Sequence, residues 1–176
     1  MESALEKTLT SCYKNEMISF MKAHPECFEK AVELAVSDKQ PYSWRAAWLL
    51  WSVIEENDKR IKKFVKRIVI AAKTKSDSHQ RELLKILAMM ELDEKYEGIL
   101  FDMCLGIWEQ ISKAPAVRVN ALKLIVKIAN KHPELKKEIS FLAQDHFLES
   151  LSPGARHSVK KIMSNLNKYL AVSNEY

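Results

Sequence analysis

The sequence predicts an all-helical protein built from short helical hairpins. Only three glycines occur, too few for the tight turns that an all-β fold requires. Apolar residues recur at intervals of three and four, as in Ile61, Phe64, Val65 and Ile68, which is the spacing of one buried helix face. Arginines also recur with a period of about three dozen residues, which indicates a repeated structural unit.

Prolines mark the starts of the expected helices. Each of the five prolines stands just ahead of a stretch with helical apolar spacing, and proline suits the first helical position because its missing N–H would have no partner there. Ser152, Asp58 and Asp93 supply N-caps for three of the helices. The short loops predict antiparallel neighbours. The expected helices span residues 4–22, 25–37, 42–55, 58–74, 78–91, 93–112, 115–131, 133–149 and 153–171.

The repeat is carried by two independent markers. Arginines occupy the start of alternate helices at spacings of 36, 37 and 38 residues, and apolar or small residues follow three and six positions later. Residues 22–26 also echo residues 130–134 at a distance of 108, which is three periods of 36. One such hairpin cannot bury its apolar stripe alone, so stacking on its neighbours is expected to stabilise it. The arginines are Arg45, Arg81, Arg118 and Arg156.

The segment Val117–Leu122 resembles the V-R-x-x-A signature of HEAT-like (armadillo-type) helical repeats. The resemblance implies a right-handed α-α superhelix of about four hairpins, with binding on its concave face. The periods are shorter than a usual HEAT unit. No acid precedes Arg118 or Arg156, so the resemblance does not imply a continuous ladder of acid–arginine contacts. One domain over residues 1–176 is expected, with hairpins at 4–37, 42–74, 78–112 and 115–149 and a capping helix at 153–171.

The positive charge is confined to one segment. The formal net charge is +5, yet residues 58–75 alone carry +7 and the other residues sum to −2. These cations form either a solvated helix face or a patch for phosphate or an acidic partner. No apolar run is long enough to span a membrane, and no secretory signal is visible. A cytoplasmic protein without a membrane partner is therefore expected.

Motifs for catalysis or for metal and cofactor binding are absent from the sequence. The cysteines at 12, 27 and 104 form no CxxC pair, and the histidines do not converge. There is no HExxH, GxSxG, P-loop or GxGxxG motif. We therefore expect a non-catalytic protein with no cofactor and no metal site.

The resemblance implies that the second helix of each hairpin lines the concave face. Aligning these helices on Cys27, Ile61, Tyr96 and Leu135 places charged residues of alternating sign there. These residues either pair across neighbouring helices or form a polar groove for a charged peptide. Two glycines flank one carboxylate with four-residue spacing, which indicates either a shallow depression or close helix packing. The candidate residues are Glu29, Glu33, Lys63, Arg67, Gly98, Asp102, Gly106 and Lys137.

Three functions remain open at this point. The favoured one is a scaffold that holds a protein or peptide in the concave groove around Lys63, Arg67 and Asp102. Nucleic-acid binding is the alternative, by analogy with the HEAT-like DNA alkylation-repair glycosylases. The third is an enzyme with a pocket near Gly98, Asp102 and Gly106. A deep pocket with a desolvated Asp102 would favour the enzyme, and a shallow groove with an ion-paired Asp102 would not.

Overall fold

The structure, a computed structural model, describes residues 2–172, with side chains described as far as Leu166. Every regular element within these residues is helical. The chain groups into two compact units, Met1–Leu92 and Asp93–Tyr176. The boundary falls inside the expected third hairpin, so each arm of that hairpin is described with its own unit. The expectation of a single domain over residues 1–176 stays a prediction, and it includes Met1 and residues 173–176, which lie outside the described residues.

Unit 1 is organised around helix α4 (Tyr42–Val53). This helix packs against the first, second, third and seventh helices, and the sixth helix packs against the third and seventh. A 3₁₀ turn at Pro25–Cys27 leads into α3. The helices are α1 (Ala4–Ser11), α2 (Lys14–Ala23), α3 (Phe28–Val36), α4 (Tyr42–Val53), α5 (Lys59–Lys62), α6 (Val65–Ala72) and α7 (Asp77–Ala88).

Unit 2 is organised around helix α9 (Pro115–Lys131), which packs against α8 (Glu94–Glu109) and α12 (Pro153–Val172). Its last predicted hairpin arm consists of two short helices joined by a 3₁₀ turn at Ser140–Ala143. Pro115 and Pro153 are the first residues of their helices, as the sequence predicts. The helices are α8 (Glu94–Glu109), α9 (Pro115–Lys131), α10 (Leu135–Glu138), α11 (Asp145–Leu148) and α12 (Pro153–Val172).

Three of the expected helices are interrupted. The helix expected at 4–22 breaks at Cys12 and Tyr13, where the backbone is extended and the Tyr13 N–H donates to the Glu16 carboxylate over 2.7 Å. The helix expected at 58–74 breaks at Lys63 and Phe64. There the Phe64 N–H donates to the Ile61 carbonyl three residues earlier, as in a 3₁₀ turn, and not to the carbonyl four residues earlier. The arm expected at 133–149 is divided by the 3₁₀ turn. Each break closes through local hydrogen bonds that compete with the regular helical pattern.

The repeat positions form the core as expected. Of the eight positions that follow the repeat arginines by three or six residues, five are fully buried, and the remaining three are half-buried. Burial of large apolar side chains at these positions stabilises each unit through the hydrophobic effect. The fully buried positions are Leu84, Leu87, Ala121, Leu124 and Val159.

Three of the four repeat arginines bind main-chain carbonyls near helix ends. Arg45 donates to the Leu9 carbonyl in the last turn of α1 over 2.9 Å. Arg118 has no exposed surface and donates to the Trp108 carbonyl at the end of α8, and Arg156 donates to the Leu151 carbonyl. The last carbonyls of a helix lack intrahelical partners and carry partial negative charge, so they suit a cation. Arg81 differs, because its guanidinium binds the neighbouring carboxylate of Glu82.

Candidate binding grooves

Unit 1 has an open groove between the start of α3 and helix α5, the second arms of the first two predicted hairpins. We call it the basic groove. Its volume is about 370 Å³. Two of the predicted site residues, Glu29 and Lys63, lie on it. The lining residues are Pro25, Phe28, Glu29, Lys59, Arg60 and Lys63.

Two cations of the basic groove already have partners. Lys63 forms an ion pair with Glu29, and both side chains are more than half exposed, so the pair contributes less than about 1 kcal/mol. Arg60 pairs with Asp58 at 2.7 Å and lies 4.1 Å from the centre of the Phe28 ring. The hydrogen bond from Arg60 holds the pKa of the Asp58 carboxyl below its ordinary value. Cross-helix pairing, one of the two interpretations of the predicted surface, therefore occurs at Glu29 and Lys63.

The other predicted residues of unit 1 lie on the exposed surface beside this groove. Glu33 is exposed on α3. Arg67 is exposed on α6, and its guanidinium lies 5.9 Å from the centre of the Phe64 ring. The basic segment faces water at most of its cations, but Lys75 turns inward and donates to the Ser37 carbonyl over 2.9 Å. The exposed positions leave both interpretations of the basic segment open.

Unit 2 has a larger groove between α8, α9 and α10, with a volume of about 470 Å³. We call it the acidic groove. The side chains of Phe101, Ile128 and Leu135 give it an apolar floor, and the predicted residues Gly98 and Asp102 also line it. The remaining lining residues are His132 and four more carboxylates, Glu94, Glu97, Glu134 and Glu138.

Glu97 is the buried carboxylate of the acidic groove. Only 5% of it is exposed, and it accepts hydrogen bonds of 2.7 Å from both Lys131 and His132. Burial alone raises the pKa of the Glu97 carboxyl, but the two hydrogen bonds outweigh burial, and the pKa lies below its ordinary value. The hydrogen bond between His132 and Glu97 also raises the pKa of His132. Glu97 therefore stays ionised and holds Lys131 and His132 in place beside the groove.

The glycine pair does not reflect close helix packing. A Cβ atom added at Gly98 or Gly106 would meet nothing within 4 Å. Gly98 opens onto the acidic groove, whereas Gly106 lies outside its lining. A depression beside the Asp102 carboxylate is therefore present around Gly98 alone.

Asp102 matches neither of the two expected outcomes. The groove beside it is open, and the carboxylate is exposed and forms no ion pair with the side chains described up to Leu166. Lys137, the last predicted residue, is exposed on α10 but does not line the groove, whereas Glu138 next to it does. The assignment of all eight residues to one binding surface stays a prediction.

Both grooves lie between second arms of consecutive predicted hairpins, but cations predominate in one lining and carboxylates in the other. The alignment of Ile61 with Tyr96 superposes Lys59 on Glu94 and Arg67 on Asp102. A cationic position in unit 1 therefore corresponds to an anionic position in unit 2. The predicted alternation of sign does not continue along the acidic groove, because carboxylates from both α8 and the α10 arm line it and Lys137 does not.

Four carboxylates and one histidine of the acidic groove were not among the predicted site residues. The sequence does contain a signal, because Glu94 and Glu97, and likewise Glu134 and Glu138, have the spacing of one helix face. Acids in a first helical turn are common, since they offset the helix dipole, and this ordinary explanation conceals the cluster. The two pairs come together only in the folded unit, where both line the acidic groove.

A third groove lies in unit 2 between α9 and α12, with a volume of about 630 Å³. It is lined by three lysines, two asparagines, a serine and two apolar side chains, Val126 and Ile162. These residues lie on the first arm of the fourth hairpin and on the capping helix, outside the predicted binding face.

In the part of the chain that the structure describes, no group of three His, Cys, Asp or Glu side chains could hold a metal ion. None of the described helices combines the length and the hydropathy that crossing a bilayer requires.

The comparisons with known proteins agree with the fold. The family model of the HEAT repeat domain matches residues 1–166, and the chain belongs to this family. The family and the all-helical structure confirm the predicted fold class. No curated protein and no solved structure matches the chain. HEAT repeats form helical scaffolds that commonly bind proteins.

Proposed function

We propose that this protein is a non-catalytic scaffold that binds a protein or peptide on the exposed face of its second hairpin arms. The proposed surface contains Lys63 and Arg67 in unit 1 and Asp102 in unit 2, in the concave groove expected of a right-handed superhelix. The proposal includes no cofactor and a location in the cytoplasm.

The observation that carries the proposal is the groove in each unit. In both units the second arms of consecutive predicted hairpins leave an open, charged depression, with an apolar floor in unit 2. Apolar area bordered by polar groups is typical of protein-binding surfaces. Glu29 and Lys63 form an exposed pair that a partner can separate with little loss, since such pairs contribute less than about 1 kcal/mol.

Nucleic-acid binding has less support. The cations of α5 and α6 are exposed, but the corresponding face in unit 2 carries five carboxylates along its groove. Phosphates would be repelled there, and a tracked nucleic-acid backbone needs cations along its whole path. An enzyme is also less well supported, because Asp102 is exposed in an open groove, whereas catalytic carboxyls are commonly desolvated.

The test is affinity capture with tagged protein, followed by mass spectrometry of the captured partners. The double charge reversal Lys63→Glu and Arg67→Glu alters the proposed surface. Lys7→Glu with Lys22→Glu is the matched control, because both lysines are exposed on the first arm and the charge change is the same. We expect a partner that is lost with the first variant and kept with the second.

Two results would refute the proposal. One is a set of partners that stays unchanged in the Lys63→Glu and Arg67→Glu variant while thermal melting shows that the variant is folded. The other is tight binding of duplex DNA, measured by fluorescence anisotropy, that collapses when salt is raised. That second result would promote the nucleic-acid alternative.

A further inference from the structure

We propose that the acidic groove binds a basic peptide segment that inserts an apolar side chain between flanking Lys or Arg residues. The inference rests on the proposed function, and it adds the chemistry of the partner for unit 2.

The floor of the groove selects an apolar side chain. Phe101, Ile128 and Leu135 line it, and its volume of about 470 Å³ lies within the range of roughly 300–1,000 Å³ that is usual for ligand pockets. Phe101 is only 7% exposed in the folded chain. Phe101 therefore belongs to the packed core, and an inserted side chain would lose water by covering the exposed edge of the floor.

The rim of the groove selects positive charge. Glu97 is satisfied by Lys131 and His132. Glu94, Asp102 and Glu138 are exposed and have no ion pair with the side chains described up to Leu166. Carboxylates of one sign around a groove attract a cationic segment, speed its association and reject anionic competitors.

Gly98 supplies the room for the segment. It is exposed on the groove side of α8, and a Cβ atom at this position would meet nothing within 4 Å. A larger side chain at Gly98 therefore extends into the groove and not into the core. Substitution of Gly98 by a larger apolar residue therefore blocks the groove while leaving its charge unchanged.

The occupant is a separate basic segment and not a second copy of this chain. The cations of residues 58–75 would offer another copy a suitable charge, but they surround a single strongly exposed apolar residue, Ile70, which is 56% exposed. That residue projects from the regular helix α6, whereas an extended segment can follow the groove and present Lys or Arg on both sides of the inserted residue.

The probe is a short fluorescein-labelled peptide of Lys, Arg and Leu, compared by anisotropy with a peptide in which Glu replaces every cation. We expect the basic peptide to bind and the acidic peptide not to bind. Asp102→Asn with Glu138→Gln should weaken binding about tenfold. The matched control Glu109→Gln with Glu149→Gln removes the same charge from exposed positions of unit 2 outside the groove and should change binding less than about twofold.

Gly98→Leu separates groove insertion from general charge attraction. We expect this variant to melt like the wild type and to lose at least about tenfold in affinity for the basic peptide. Equal weakening by the groove pair and by the control pair would overturn the inference, because non-specific attraction would then explain the binding. Unchanged affinity in a folded Gly98→Leu variant would overturn it as well.

Two further outcomes separate this inference from the proposed function. If the peptide fails to bind while Lys63→Glu with Arg67→Glu still abolishes capture of a partner, the inference fails and the scaffold function stands. If sedimentation velocity shows a dimer that both Asp102→Asn with Glu138→Gln and Lys63→Glu with Arg67→Glu abolish, the occupant is a second copy, and the inference is wrong.

Discussion

Replacement of Arg118 by Met is expected to be among the most destabilising single changes in unit 2. The guanidinium is fully buried. It donates to the carbonyls of Trp108 and Phe147 over 2.9 Å each and to the Ser150 hydroxyl over 2.8 Å, and it lies 4.8 Å from the centre of the Trp108 ring. One side chain therefore joins the end of α8, the start of α9 and the end of α11.

The magnitude follows from these contacts. A hydrogen bond to a charged group contributes roughly 1.5–3 kcal/mol, so three contribute about 4.5–9 kcal/mol. Burial opposes them, because it removes water from the guanidinium and lowers the pKa of Arg118. That desolvation offsets several kcal/mol, and Met restores part of the lost packing. We expect a net loss of about 3–4 kcal/mol in the free energy of unfolding.

The assay is urea unfolding followed by far-UV circular dichroism. Arg156→Met is the matched control, since Arg156 occupies the same repeat position in the same unit but is exposed, with bonds to the carbonyls of Leu151 and Glu149. We expect the control to lose less than about 1 kcal/mol. A loss below about 1 kcal/mol for Arg118→Met would show that the buried guanidinium does not hold the three helix ends together.

Three smaller predictions concern charge and thiol chemistry. Glu6 is 5% exposed, and hydrogen bonds from its lysine partner and from the N-cap serine lower its pKa from 4.5 to about 2, so the stability it contributes is present above pH 4.5 and is lost as the pH falls towards 2. Urea unfolding of Glu6→Gln should show a deficit of about 1 kcal/mol at neutral pH that disappears near pH 2, and a deficit independent of pH would contradict this assignment. Burial raises the pKa of Cys104 to about 12, so iodoacetamide should label the half-buried Cys12 while Cys104 reacts only on unfolding; equal rates in the folded protein would count against the burial. A double-mutant cycle on Glu29 and Lys63 should give a coupling below about 1 kcal/mol that falls with added salt, because both side chains are exposed, and a larger, salt-independent coupling would mean that the pair is structural.

Features that depend on neighbouring residues could be predicted from the sequence. The apolar spacing and the prolines place most helices within a few residues of their observed bounds, because helix formation is a local property of the chain. The positions after the repeat arginines, such as Leu84 and Leu124, are buried as expected. The HEAT-like signature at Val117–Leu122 identified the family. The spacing of acidic residues in the sequence, as at Glu134 and Glu138, also indicated carboxylates that line the acidic groove.

Tertiary structure alone decided the partners of these residues. The breaks near Tyr13 and Phe64 are an exception, because local hydrogen bonds close them and the apolar spacing does not distinguish them from a continuous helix. Arg118 donates to the Phe147 carbonyl 29 positions away, and Glu94 and Glu138 line one groove although they belong to different helices. Periodicity fixes which face of a helix is buried, but the pairing of one helix with another depends on packing and on how each polar group is satisfied. These distant contacts, and not the local pattern, place an open acidic groove in unit 2.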